Sequence, residues 1–226
     1  MPETWSRVVI TGVNPHVNNG EWPIKRGRGE TVEVTAGIIA DGHEALSAEL
    51  LYWHEDDDAP TAVPMTEHPN DEFTASFEVD LLGTYTYQVQ AWLDRFGTWQ
   101  EQFKRRVRGD ETEAILESEL QEGADMLARA AKQATGTDRD LLEAHIESFR
   151  AGDVETALHD EVAALAKEYS PRDGATLSDR FEVFVDPELA RHGAWYEFFP
   201  RSAGDAPGEH ATLDKAAERL PRIKEM

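Results

Sequence analysis

Cysteine is absent from this chain of 226 residues. Its absence rules out disulfides, thiolate nucleophiles and cysteine-held metals. Long apolar runs are missing as well. No stretch reaches the ~18 apolar residues that a membrane-spanning helix needs. The first residues, Met-Pro-Glu-Thr-Trp, carry neither the basic start nor the apolar core of a signal peptide. Together these absences point to the cytoplasm. Positive charge is also scarce, with 22 Lys+Arg against 45 Asp+Glu and a net charge of −23. Such a surface repels phosphates, which argues against DNA or RNA as a partner. The acids are spread along the chain and do not form a tail, a distribution that fits a host adapted to high salt.

What is present is enough apolar material for a core, at 40% hydrophobic and 9% aromatic residues. Residues 6 to about 108 read as strands and turns. Val32, Val34, Ala36 and Ile38 alternate with polar residues, as do Phe73, Ala75, Phe77 and Val79, and Tyr85, Tyr87, Val89 and Ala91. Period 2 of this kind gives each strand one inward and one outward face. The segment "GTWQEQFKRRVRG" reads as the last of these strands. Several short strands with no helical period between them predict an antiparallel β-sandwich of immunoglobulin-like type.

At Asp110 the period changes. Asp110-Glu111-Thr112-Glu113 has the form of a capping box. Leu116, Leu120, Ala124, Leu127, Ala131 and Ala134 then recur at helical spacing. Thr137 is placed to cap a second helix carrying Leu142, Ile146 and Phe149, with Gly152 closing it. Asp153 begins a third, with Val154, Leu158, Val162, Leu165 and Tyr169 in register. These helices make a small, strongly acidic bundle. "FEVFVD" is strand-like again and most simply rejoins the sandwich as its last strand. In "AWYEFFPRS", Trp195 and Phe199 point one way, Tyr196 and Phe198 the other, the pattern of a strand buried on both faces. Thr212 then caps a helix striped by Leu213, Ala217, Leu220 and Ile223. One βα unit has no parallel neighbour to bond with, so the expectation is that the chain is the front of a longer protein.

The eight histidines (His16, His43, His54, His68, His145, His159, His192 and His210) show no zinc-ligand spacing. Asp56-Asp57-Asp58 lacks a glycine-turned calcium loop and reads as a solvated hairpin tip. Gly27 and Gly29, which flank Arg28, match no phosphate loop and read as a turn. No catalytic, cofactor or metal residue is assigned. Sugar rings stack on exposed aromatic faces, so the position of each tryptophan matters. Trp53 and Trp92 fall inside strands and read as core, whereas Trp22 and Trp99 lie near turns and are the candidate glucan-stacking residues. Lys104, Arg105 and Arg106 are expected to pair with the acidic bundle.

"GEWPIKRGRGETVEVTAGIIADGHEALSAELLYW", "DRFGTWQ", "AWYEFFPRSAG" and "ERLPRIKEM" carry a likeness. The chain resembles the N-terminal region of the alpha-1,4-glucan:maltose-1-phosphate maltosyltransferases, of the alpha-amylase superfamily (glycoside hydrolase family 13). The likeness is closest over residues 20–55, 83–100 and 181–226. It implies a sandwich over 1–109 and an inserted helical bundle over 110–178. A returning strand and linker follow over 179–190, and the start of a catalytic (β/α)8 barrel over 191–226. It further implies a homodimer formed through the sandwich and helical domains, an α-glucan as possible ligand, and catalytic carboxylates on later barrel strands. No position of this chain matches those carboxylates, so the segment alone is expected to be inactive. A glucan-binding module of a debranching or branching enzyme is the alternative.

Overall fold

The computed structural model describes residues 7–193 and 195–226. The N-terminal residues read for a signal peptide, and Ala194 of the expected barrel strand, lie outside them. The chain divides into two compact units, the first ending at Asp186 and the second comprising Pro187–Met226.

Alternation builds the first unit. Its strands are β1 (Val8–Asn14), β2 (Ile24–Gly27), β3 (Glu30–Ala40), β4 (Leu46–His54), β5 (Thr61–Pro64), β6 (Thr66–His68), β7 (Glu72–Val79) and β8 (Gly83–Leu93). The helices α1 (Arg95–Arg108), α2 (Glu113–Ala131), α3 (Gly136–Arg150), α4 (Val154–Ala157) and α5 (Asp160–Glu168) follow. The chain then returns as β9 (Thr176–Leu177) and β10 (Phe181–Asp186). One sheet has four strands in the order β1-β3-β7-β6. The other has six, in the order β2-β10-β8-β4-β5, with β9 also on β8.

The two sheets share one core. Val32, Val34 and Ile38 of β3 are fully buried with Leu50 of β4, Tyr87 and Val89 of β8 and Val183 of β10. Each such side chain contributes about 1.5–3 kcal/mol relative to exposure. Phe77 ties the sheets together, with ring centroids 4.5 Å from Tyr52 and 5.9 Å from Tyr87.

As expected, "FEVFVD" rejoins the sheet. β10 pairs antiparallel with β8, bringing Phe181 opposite Tyr87, but parallel with β2, bringing Val183 opposite Ile24. The sheet is therefore mixed and not purely antiparallel. A strand arriving from a long helical excursion is free of the hairpin's direction, and a crossover of that length permits parallel pairing.

Between Leu93 and Thr176 the helices pack around a second core that includes Phe96, Trp99, Phe103, Leu127, Leu142 and Phe149. Its first helix corrects the sequence reading: "GTWQEQFKRRVRG" is helical within α1, not a strand. Asp94 caps α1, accepting from the Gly97 N–H at 2.8 Å. The expected capping box at Asp110 does not form. Asp110 has φ +53°, its N–H bonds to Val107 O, and Thr112 takes the cap position of α2 without a side-chain bond. Asp110 is still closing α1, so it is not available to open α2. Thr135, not Thr137, is the N-cap of α3. Gly152 has φ +84° at the end of α3, where a left-handed residue is needed. Asp153 caps the next turn by accepting from Thr156 N. The predicted third helix is then split into α4 and α5 at Leu158–His159.

In the second unit no strand forms over 195–199. Trp195 is 101% exposed and Phe199 74%. The predicted parallel neighbours are not among the described residues, and without them an extended segment has no ladder to join. Thr212 does cap a helix, accepting from Lys215 N at 3.3 Å. That helix divides into α6 (Leu213–Ala217) and α7 (Leu220–Glu225). Pro221 lies in the first turn of α7, where its missing N–H costs no helical bond. No helix among the described residues is long and apolar enough to cross a membrane.

Candidate functional site

The end of β8 organises a concavity beside α1 and α2. Leu93 closes the strand, and Asp94 turns the chain into α1. The Asp94 N–H bonds to Ala45 O at 2.8 Å. Thr98 Oγ1 accepts from Ala45 N at 2.9 Å and donates to Asp94 O at 2.7 Å. The start of α1 is thereby pinned to the segment entering β4.

From this anchor α1 presents two faces. Phe96, Trp99, Gln100 and Phe103 are buried in the helical core. Arg95, Thr98, Gln102 and Arg106, at spacings of three and four residues, line a groove of about 350 Å³. Glu119, Glu122 and Met126 of α2 line it as well, as do Arg7 and Glu44. A smaller cavity of about 80 Å³ shares Leu93, Arg95 and Met126 with it and ends at Asp173.

The groove has a mixed electrostatic lining. Arg106 pairs with Glu119 at 3.3 Å, and Arg7 with Glu44 at 2.7 Å. The hydrogen bond from Arg7 holds the Glu44 carboxyl below its ordinary pKa. Trp99 Nε1 donates to Glu119 O at 3.1 Å. The Nε of Arg106 is buried without an acceptor.

The two candidate stacking residues part company. Trp22 is 60% exposed and forms an isolated antiparallel bridge with Val17. Trp99 is only 4% exposed and packs against Phe96, Phe103 and Phe149, with ring centroids at 5.1, 5.1 and 5.6 Å. At that exposure its ring belongs to the helical core and is not the open surface platform expected of it. Trp92 is core, as expected, whereas Trp53 is only half-buried and lies under the Arg180 guanidinium at 5.4 Å. Asp56, Asp57 and Asp58 form an exposed hairpin tip, where Asp57 accepts from the His54 N–H at 2.8 Å. Of the basic exit, Lys104 pairs with Asp160 at 2.8 Å and Arg106 with Glu119.

Sequence reasoning missed the Arg95–Arg106 stripe because it read this segment as a strand. The signal was present. Phe96, Trp99, Gln100 and Phe103 recur at i, i+3, i+4 and i+7, and Asp94 stands at the cap.

A family model for alpha-1,4-glucan:maltose-1-phosphate maltosyltransferase, domain N/S, matches residues 6–187. The chain is 54% identical over 226 residues to the alpha-1,4-glucan:maltose-1-phosphate maltosyltransferase of Salinibacter ruber, covering 100% of this chain and 34% of that protein. It is 35% identical over 225 residues to the enzyme of that name from Chlorobaculum tepidum, covering 97% of this chain and 33% of that protein. Against the Mycobacterium tuberculosis protein the identity is 35% over 259 residues, covering 99% and 37%. The chain thus spans about a third of the length of the curated relatives it matches. A sandwich interrupted by helices, matched by the domain N/S model from before β1 to just past β10, identifies this chain as a member of the alpha-1,4-glucan:maltose-1-phosphate maltosyltransferase family.

Proposed function

We propose that this chain is the non-catalytic N-terminal portion of a cytoplasmic, retaining maltosyltransferase. The parent enzyme would move maltosyl units from maltose 1-phosphate to the non-reducing ends of α-1,4-glucan chains of the glycogen type. This portion would serve architecture and a homodimer interface formed by the sandwich, of immunoglobulin-like type, and the helices. The observation that carries the reading is the match of the domain N/S model across residues 6–187, in a chain covering 34% of its Salinibacter ruber relative.

The second unit supports it. Leu189, Trp195, Phe199 and Leu213 are each more than 70% exposed, a concentration of large apolar surface that water disfavours. Such a surface suits a segment that further parts of the parent enzyme would cover. The reading needs no metal or cofactor held by this chain.

Phosphate release from maltose 1-phosphate, measured with glycogen as acceptor, tests the assignment. The 226-residue chain is expected to release none, and a chain extended through the region the relatives possess is expected to release it. Turnover by the 226-residue chain alone overturns the reading. Sedimentation of the extended chain as a monomer overturns the dimer assignment.

A further inference from the structure

The groove between α1 and α2 combines three properties that together select a ligand class. The first is charge. Arg7, Arg95 and Arg106 face Glu44, Glu119 and Glu122, so the lining is balanced in a chain whose net charge is −23. An anion entering meets three carboxylates and a cation meets three guanidiniums, so neither is favoured. A neutral ligand rich in groups that both donate and accept meets complementary partners throughout.

The second property is unspent hydrogen-bonding capacity. The side chains of Arg95, Gln102 and Glu122 make no hydrogen bond or ion pair among the described residues. The third property is shape. The volume of about 350 Å³ lies at the small end of the range of ligand sites, and Leu93 and Met126 give it an apolar floor beside the polar walls.

We propose that this groove binds the end of a neutral oligosaccharide, its ring C–H surface on Leu93 and Met126 and its hydroxyls on Arg95, Gln102 and Glu122. Naming the oligosaccharide an α-1,4-glucan rests on the function proposed above. The site is distinct from Trp22, and it would hold polymer against the helical insert.

Calorimetric titration of the 226-residue chain with maltohexaose tests this. Saturable heat is expected. Gln102 and Glu122 are exposed and unpartnered, so the double variant Q102A/E122A should keep the wild-type thermal transition. It should bind about tenfold more weakly or worse, the loss expected from one or two hydrogen bonds. Trp22→Ala should bind as the wild type does, and inorganic phosphate should not compete. The proposal is overturned by any of four results: no saturable heat with maltohexaose, wild-type affinity in the double variant, loss of binding in Trp22→Ala, or displacement of the sugar by phosphate. Preferential binding of cellohexaose would also overturn it, by removing the α-glucan. Phosphate release by the extended chain reports the family reading separately, so a silent groove with intact transfer condemns this inference alone.

Discussion

Gly123 shows how one missing methyl group fixes the approach of two helices. A Cβ placed there would lie 2.5 Å from Trp99 Cη2, so Trp99, packed among Phe96, Phe103 and Phe149, would have to shift. Glycine is normally a poor residue inside a helix, costing about 0.5–1 kcal/mol relative to alanine. Here the steric term outweighs that propensity. Gly123→Ala should destabilise the first unit by about 1–3 kcal/mol, the usual cost of overpacking a core, read as a lower midpoint of urea unfolding. A higher midpoint would mean that α1 and α2 separate more easily than the aromatic cluster suggests. Arg172 is the corresponding residue between the sheet and the helices. Its guanidinium lies 4.7 Å above the Trp92 ring, pairs with the largely buried Glu49, and donates to Ser170 O at 2.6 Å. Arg172→Ala leaves that carboxylate without its partner, and a loss of about 2–4 kcal/mol is expected in the same measurement. Arg172→Lys should recover only part of it, because an ammonium cannot both stack on the ring and serve several acceptors in one plane.

Among the elements, helix ends carry the pH dependence. Asp153 accepts from both the hydroxyl and the N–H of Thr156, and these bonds hold its carboxyl below the ordinary aspartate pKa. A folded pKa lower than the unfolded one stabilises the fold above about pH 3.9, and that contribution is lost as the pH falls through the lower folded value. Asparagine caps without titrating. The stability difference between wild type and Asp153→Asn should therefore be constant near neutrality and shrink below pH 4, as followed by thermal unfolding across pH. A difference that stays constant to pH 2 would show that the cap's charge contributes nothing. The elements also show where sequence was legible. Strand β3 alternates cleanly, with Val32, Val34, Ala36 and Ile38 buried, whereas β8 also buries Gln88 and Trp92 on its other face, where the helical insert and β9 cover it. Helix α1 was misread because Phe96, Trp99 and Phe103 favour strands locally, a preference that burial against α2 and α3 overrides.

For the whole molecule, the helices leave the six-stranded sheet at the end of β8 and return along the same strand, β9 pairing at Gln90 and β10 at Tyr87. An insertion whose two ends meet on one strand need not disturb the sheet that hosts it. The first unit carries its own two cores and ends at Asp186. A chain ending at Asp186 should keep the principal thermal transition within about 2 °C, while binding less of an apolar dye because Trp195 and Phe199 are gone. A drop of ten degrees would show that residues beyond Asp186 are part of the same cooperative unit.

Alternation and helical spacing made the sheets, the acidic helical insert and the returning last strand legible, because such periods are written in a few neighbouring residues, whereas the family was legible only through the likeness of whole segments. The candidate groove was not legible in that way. Its walls come from residues 7, 44, 93–106 and 119–126, and only packing brings them together. Tertiary structure alone decided that Trp99 is core while Trp22 is surface, that β10 lies parallel to β2, and that Arg95 and Arg106 face acids across a cleft. The reason is physical: burial, strand direction and the meeting of charges from distant segments depend on which surfaces exclude water from one another, and no local window of sequence contains both surfaces.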